Sequence, residues 1–247
     1  MALKLTLNYS ASFNPKKRIS KQIKFIVFHY TGMKKESDAI NRLTDIQSEV
    51  SCHYLIKSSG EIIKLVPDLY IAWHAGKSSW KDYKLLNQNS IGIEITNPGH
   101  EHGYKNFSKK QISSLLKLGL FLMKKYKIGS KNILGHSDIA PQRKKDPGEK
   151  FPWEYFSKNK IGLWHTLKQQ ELIKNRGFKT SKIEREFFLN NLFNIGYSKK
   201  IPKDQNKDNY LKDVTKAFQR RFRQELVDGK IDQECLLISK SLIKVYN

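Results

Sequence analysis

The chain has 247 residues and is 38% hydrophobic, so it can bury a sizeable core and divides naturally into one large and one small domain. Its formal net charge of +23 makes nucleic acid a partner to consider, because basic proteins bind polyanions non-specifically. However, 38 of the 46 basic residues are lysine, whereas arginine suits bidentate phosphate and base contacts, and no nucleic-acid-binding motif is present. The composition favours a solvated lysine-rich surface, attracted to an anionic cell envelope.

The sequence also bears on the compartment and on cross-links. No segment approaches 18 consecutive apolar residues, so no transmembrane helix is predicted. Residues 1–7 alternate like a short strand and show no apolar signal core, which predicts either a cytoplasmic protein or export by another route. Cys52 and Cys235 are far apart in sequence, so no disulfide framework is expected. A monomer is the default expectation.

The first predicted strand ends at a histidine. Residues 25–28 are all apolar and lie between polar residues and a Thr-Gly pair, which is the pattern of a buried central strand. The run leads directly into His29, and the end of such a strand is where many α/β proteins place their chemistry. A helix is predicted to begin near Ser37 or Asp38. Its apolar face comprises Ala39, Ile40, Leu43 and Ile46.

Further along, Gly60 marks a hairpin between strands at residues 54–56 and 62–65. A helix begins at Ser108, where Gln111 completes a capping box, and its apolar stripe has helical spacing. The strands are interleaved with these helices. The predicted fold class is therefore α/β, with a mixed central β-sheet flanked by helices.

A strand between the predicted hairpin and the helix that begins at Ser108 carries a carboxylate. Alternation over residues 90–96 places Glu94 on the face opposite Ile91 and Ile93, with Gly92 leaving room beside it. A carboxylate in the middle of a strand is costly unless it is paired, hydrogen-bonded or facing a cleft. If Glu94 faces a water molecule that is activated by a metal ion, it can act as a general base. The alternative is an edge-strand glutamate paired with a lysine.

A second histidine ends the short strand at residues 132–135, and a carboxylate follows ten positions later. His29 or His136 alone is more often a satisfied core histidine than a ligand. Together with Asp146, the two histidines form a sufficient ligand set for a catalytic Zn²⁺ that keeps one position open for water. The sequence therefore predicts a metal-dependent hydrolase.

Lys144 lies two residues before Asp146, in a loop bounded by prolines. A lysine at this place can donate a hydrogen bond to the oxyanion that forms when water attacks a carbonyl. The alternative is that residues 143–145 are only a solvated basic run.

Five short segments occur in a recognisable order. They are His-Tyr-Thr at 29–31, Ser-Cys-His-Tyr-Leu-Ile at 51–56, Ala-Trp-His-Ala-Gly at 72–76, Ser-Ile-Gly-Ile-Glu at 90–94 and Gly-His-Ser-Asp-Ile-Ala-Pro at 135–141. In these segments and their order the chain resembles a known family, the zinc-dependent N-acetylmuramoyl-L-alanine amidases of type 2, over roughly residues 23–156. This family is related in fold to peptidoglycan-recognition proteins and to phage T7 lysozyme, and the likeness is greatest to its AmiD-like branch.

The resemblance implies a role for each matching residue. One zinc ion per chain would be bound by His29, His136 and Asp146, with Glu94 as the catalytic glutamate and Lys144 as the lysine that polarises the substrate. The implied substrate-binding residues are Tyr30, Trp73, His74, Asn97 and Arg143. In relatives of the T7 type a catalytic tyrosine occupies the position of Cys52, so that variant of the mechanism is not expected here and Glu94 carries more of the load.

The implied reaction is hydrolysis of the amide between N-acetylmuramic acid, or its 1,6-anhydro form, and L-alanine. The partners would be peptidoglycan or muropeptide fragments, and the implied location is the bacterial cell envelope or periplasm. The alternative within the same fold is a recognition protein that binds muropeptides without cleaving them. Such members commonly lose a zinc ligand, and all three are present here, which favours the enzyme.

The predicted domain boundary lies at residue 176, with the zinc amidase domain at residues 1–176 and a helical domain at 177–247. One helix begins at Ser181 with Glu184 in its capping box, and its expected buried face comprises Ile183, Phe187, Phe188 and Leu192. A loop rich in Lys, Asp and Asn follows over residues 199–209. Two more helices follow, around residues 214–222 and 235–246. The segment at 217–222 followed by Asp-Gly resembles the three-helix peptidoglycan-binding domain. The alternative is a plain helical bundle that only buttresses the amidase.

Overall fold

In the computed structural model, which describes residues 3–246, one six-stranded sheet dominates the fold and two small two-stranded sheets accompany it. In chain order, the strands are Thr6–Leu7 (β1), Phe13–Asn14 (β2), Phe25–Tyr30 (β3), Tyr54–Ile56 (β4), Ile62–Lys64 (β5), Ile71–Ala72 (β6), Ser79–Trp80 (β7), Tyr83–Lys84 (β8), Ser90–Ile95 (β9) and Ile133–Gly135 (β10). The large sheet has the order β1-β5-β4-β9-β3-β10.

The sheet is mixed, as predicted. β3 is parallel to both of its neighbours, β9 and β10, whereas β4 and β5 form the antiparallel hairpin. Gly60 lies in the hairpin turn with φ +86°, a conformation that an L side chain rarely adopts. β3 is an internal strand beside the edge strand β10, and not the central strand that the sequence predicted. Both of its faces are nevertheless buried: Phe25 and Val27 belong to one apolar cluster, and Ile26 and Phe28 to another.

Helices cover the sheet and continue to the end of the described chain. They are Glu36–Thr44 (α1), Lys109–Tyr126 (α2), His136–Ile139 (α3), Trp153–Lys158 (α4), Gln169–Asn175 (α5), Lys182–Ile195 (α6), Lys207–Phe222 (α7) and Gln233–Tyr246 (α8). The predicted capping boxes are formed: Ser108 and Gln111 exchange hydrogen bonds at the start of α2, and Ser181 and Glu184 do so at α6. The short helices α4 and α5 span too few turns to produce a periodic signal, and the sequence did not predict them.

The burial of two helices differs from the prediction. Ile183 is 78% exposed and Phe187 is 49% exposed, whereas Phe188 and Leu192 are fully buried. The buried side chains of α6 lie in the cluster shared with α8, so only one narrow face of the helix is covered. Ile46 is 62% exposed, because α1 ends at Thr44, before that residue.

The apolar core crosses the predicted boundary at residue 176. One buried cluster contains Phe25 and Leu134 from the large sheet together with Phe188 and Phe218 from α6 and α7. Such continuity is what the buttress alternative predicts. Within residues 3–246, no helix combines the length and the apolar composition needed to cross a bilayer.

Candidate active site

The three predicted ligand residues converge at the carboxyl ends of β3 and β10. His29 is the fifth residue of β3, His136 begins α3 directly after β10, and Asp146 lies in the turn beyond α3. Because the two strands are parallel neighbours, their ends meet at one edge of the sheet. The Nδ1 atoms of the two histidines are 2.9 Å apart, and Asp146 Oδ2 lies 3.0 Å from each.

Hydrogen bonds at the far side of each ring show that this group fits a metal ion. His136 Nε2 lies 3.2 Å from the carbonyl oxygen of Ala75, to which it donates, so that His136 Nδ1 carries a lone pair. His29 Nε2 likewise has a partner, the His74 ring, at 3.0 Å. Three acceptor atoms this close together repel one another unless a cation lies among them. Two imidazole nitrogens and one carboxylate oxygen are a zinc ligand set with a free fourth position.

The protonation state of His29 is also consistent with metal binding. Burial lowers the pKa of His29 to about 4, so its ring is neutral at physiological pH. All three residues are buried, and within residues 3–246 they are the only His, Cys, Asp and Glu side chains grouped closely enough to hold a metal ion.

Glu94 lies beside the ligand group on the neighbouring strand. β9 pairs with β3 in a register that places Glu94 opposite His29. The carboxylate lines the same cavity, and its Oε2 atom is buried without a protein hydrogen-bond partner. Burial and the negative charge of Asp146 together raise the pKa of Glu94 to about 8, and the positive charge of Lys144 opposes the shift. β9 is an internal strand of the sheet, which argues against the edge-strand alternative.

A cavity of about 360 Å³ opens over this group. Lys144 is half-buried in its wall, and Arg143 and Lys145 line the same wall. The basic segment is therefore gathered at the cavity that contains Glu94 and Asp146, rather than spread along a remote solvated loop.

The residues predicted to bind the substrate differ in how they are placed relative to the cavity. Tyr30 and Trp73 are half-buried and line the cavity. His74 also borders it, but the side chain is only 8% exposed and its ring lies behind His29. Arg143 lines the wall while its guanidinium donates to the carbonyl oxygens of Ala75 and Lys77.

Asn97 does not line the cavity. Its amide nitrogen donates to the carbonyl oxygen of Lys105 at 2.8 Å, and its Oδ1 accepts from the backbone N–H of Gly99 at 3.1 Å. The side chain therefore organises the loop after β9, which differs from the substrate contact predicted for it.

One polar group on the cavity wall has no signal in the sequence. The hydroxyl of Tyr30 donates to His100 Nδ1 at 2.8 Å, and His100 Nε2 lies 3.0 Å from the carboxylate of Glu149. The ring of Tyr104 stacks on His100 with centroids 4.4 Å apart. His100 and Glu149 stand in loops with no periodic pattern, and only the tertiary structure brings them to Tyr30.

A family model described as N-acetylmuramoyl-L-alanine amidase matches residues 19–149 of the chain. The chain is 34% identical over 240 residues to N-acetylmuramoyl-L-alanine amidase AmiD of Escherichia coli K12, covering 91% of this chain and 84% of that protein. The structure is similar to that of AmiD from E. coli in complex with anhydro-N-acetylmuramic acid-L-Ala-D-gamma-Glu-L-Lys, with TM-score 0.78 and 32% identity over 97% of this chain and 93% of the other. It is also similar to AmpDh3 from Pseudomonas aeruginosa in complex with anhydromuramic pentapeptide, with TM-score 0.78 and 30% identity over 98% of each chain.

Proposed function

The chain belongs to the N-acetylmuramoyl-L-alanine amidase family, and from this premise we propose that it is a zinc hydrolase acting on muropeptides through its own ligand group and Glu94. The substrate bond is the amide between the lactyl group of N-acetylmuramic acid, or of its 1,6-anhydro form, and L-alanine. The single observation that carries the proposal is the convergence of His29, His136 and Asp146 beside Glu94, whose Oε2 atom is buried and unpaired, at the edge of one cavity.

The ligand group would hold one zinc ion through His29 Nδ1, His136 Nδ1 and Asp146 Oδ2. When bound, zinc supplies a Lewis acid that polarises the scissile carbonyl and lowers the pKa of water.

The remaining steps belong to side chains of this chain. Glu94 accepts a proton from the water that attacks the lactyl carbonyl carbon. Lys144, on the cavity wall, donates to the oxygen on which negative charge develops. The carbon–nitrogen bond then breaks, and Glu94 returns the proton to the L-alanine nitrogen. The products are the lactyl carboxylic acid and a stem peptide with a free amino terminus.

The cavity supports an anionic, peptide-bearing substrate. Four cationic side chains line it, namely Arg42, Arg143, Lys144 and Lys145, and the aromatic rings of Tyr30 and Trp73 provide apolar contact area. Muropeptides carry carboxylates on a peptide and an apolar sugar face, which matches this lining. Substrates of this class belong to the bacterial cell envelope, and we infer that the protein acts on envelope material or on fragments derived from it.

We further propose that residues 1–176 contain every side chain of the reaction, and that residues 177–247 stabilise this part through the shared apolar core. A separate glycan-binding activity of the second part is not needed for cleavage of small fragments.

The test is mass spectrometry of products from an anhydro-muropeptide and from intact sacculi, with zinc-loaded protein and after treatment with a chelator. We expect a free stem peptide only with zinc, about one zinc per chain by elemental analysis, and loss of metal in His136→Ala. Binding of the anhydro-muropeptide to zinc-loaded protein without cleavage would identify a recognition protein instead. Full metal content in His136→Ala would overturn the ligand assignment.

A further inference from the structure

A row of buried hydrogen bonds extends from His29 away from the cavity. His29 Nε2 lies 3.0 Å from His74 Nδ1, and His74 Nε2 lies 3.1 Å from the Ser90 hydroxyl. The Ser90 hydroxyl in turn lies 2.6 Å from the carbonyl oxygen of Leu86. His29, His74 and Ser90 are at most 8% exposed, so each hydrogen bond in the row is shielded from water.

The row has only one consistent arrangement of protons for neutral rings. A carbonyl oxygen only accepts, so the single hydroxyl proton of Ser90 goes to Leu86. Ser90 Oγ therefore accepts from His74 Nε2–H, which leaves His74 Nδ1 as an acceptor. His29 must then donate its Nε2–H to His74, and the lone pair of His29 stands on Nδ1. That is the atom that faces His136 and Asp146.

The packing around His74 fixes its ring in this place. A Cβ atom on Gly92 would lie 2.3 Å from Cγ of His74, so only glycine leaves space for the ring at this position of β9. Gly92 thus makes room for His74 rather than for Glu94, which corrects the prediction from the strand pattern. On its other side, the ring of His53 packs against His74 edge to face, with centroids 5.7 Å apart.

We propose that His74 and Ser90 are positioning residues for the metal ligand His29: they select its Nε2–H tautomer and hold the ring so that Nδ1 points to the metal. This inference rests on the proposed function, because it presumes that zinc binds at Nδ1. It assigns His74 a place behind the ligand instead of contact with the substrate. Partners of this kind change metal affinity about 10–100-fold in other metalloproteins.

A pair of variants of nearly equal shape separates hydrogen bonding from packing. Asn and Leu have the same branched outline, but only Asn offers an oxygen near the position of His74 Nδ1. Zinc affinity is measured by competition with a chelator on the zinc-loaded full chain. We expect His74→Leu to weaken zinc binding by about 10–100-fold and His74→Asn to recover a large part of that loss. His165→Leu is the control, because His165 is also 8% exposed but does not contact the ligand group.

A double-mutant cycle tests the participation of Ser90. Ser90→Ala alone should weaken zinc binding, because His74 then has no fixed acceptor for its Nε2–H. In the background of His74→Leu the same change should have no further effect on zinc affinity, since the row is already broken. Additive losses would mean that Ser90 acts only through packing and would overturn its part of the proposal.

A measurement on the unaltered chain keeps the proposal testable if a variant fails to fold. Two-bond nitrogen–proton NMR correlations of ¹⁵N-histidine-labelled, zinc-loaded protein report which ring nitrogen carries the proton. We expect Nε2–H for both His29 and His74. An Nδ1–H tautomer of His74, or equal zinc affinity in wild type and His74→Leu, would overturn the inference while leaving the amidase proposal intact. Failure of the wild-type chain to bind zinc would instead defeat the proposed function itself.

Discussion

Arg221 on α7 forms a buried ion pair with Asp138 on α3, with Nη1 2.5 Å from Oδ2 and both side chains at most 2% exposed. The other terminal nitrogen of the guanidinium donates to the carbonyl oxygen of Ile133 at 2.9 Å, in β10. Tyr197 donates to the second oxygen of Asp138 at 2.8 Å. Side chains from α7 and from the loop after α6 therefore hold α3, the helix that begins at His136.

Removing the arginine should destabilise the whole chain. Arg221→Met leaves the carboxylate of Asp138 buried without its cation, and the loss of one partner of a buried pair costs about 3–5 kcal/mol. Urea unfolding monitored by tryptophan fluorescence gives the free energy of unfolding. Arg185→Met, an exposed site on α6, is the control and should change it by less than about 0.5 kcal/mol. An equal, small effect of both substitutions would show that the pair contributes nothing.

Truncation after Lys174 should fail to give a soluble folded protein. The shortened chain would expose Phe25 and Leu134, which now pack in one cluster with Phe188 and Phe218. Exposed apolar area of that kind promotes aggregation. Solubility and circular dichroism of the truncated chain are the measurements. A soluble truncation that still cleaves an anhydro-muropeptide would establish residues 177–247 as a separate module.

Glu94→Gln should reduce kcat by at least about 10²-fold, because a general base typically contributes about 10²–10⁴-fold. The substitution keeps the shape of the side chain, so zinc content and thermal stability should stay close to wild type. Steady-state rates on an anhydro-muropeptide, together with elemental analysis, provide the comparison. Near-normal turnover would mean that another group transfers the proton.

Lys144→Ala should lower kcat more than it raises KM, since its hydrogen bond to the developing oxyanion is strongest in the transition state. Loss of one such donor costs on the order of 10²–10³ in kcat. Lys145→Ala is the matched control, as the neighbouring lysine of the same cavity wall, and should affect turnover much less. A rise in KM alone for Lys144→Ala would place the lysine in substrate binding.

Stability should fall with acidification, partly because of His53. Its Nδ1 accepts from the backbone N–H of Gly92 at 3.0 Å, and burial lowers its pKa to about 3. In the unfolded chain His53 has an ordinary pKa near 6.5, so below that pH the unfolded chain binds a proton that the folded chain does not bind. The contribution of His53 is thus fully present above pH 6.5 and is lost progressively from there down to about pH 3. Over this range the free energy of unfolding that His53 contributes falls by up to about 1.4 kcal/mol per pH unit.

The matched variant is His53→Asn, which has no titratable group. Urea unfolding at several pH values between 4 and 7 should give a shallower loss of stability for His53→Asn than for wild type. Parallel curves for the two proteins would show that His53 does not titrate differently on folding.

Much of the site was encoded locally in the sequence. The apolar run that ends at His29, the alternation around Glu94 and the capping boxes at Ser108 and Ser181 are each formed within a few residues. Strand period and cap chemistry depend on neighbours along the chain, and for this reason pattern alone located β3, β9, α2 and α6. The family resemblance rested on the same short segments.

The tertiary structure decided which of those segments contact one another. His29 meets His74 across 45 positions, and Arg221 meets Asp138 across 83, and no periodicity reports such pairs. The role of Gly92, the exposure of Ile183 and the core that crosses residue 176 depend likewise on which surfaces pack together. Contacts between distant segments are fixed by sheet order and helix packing. The sequence by itself therefore determined which residues could serve as metal ligands, and only the fold determined which nitrogen of each ring faces the proposed metal site.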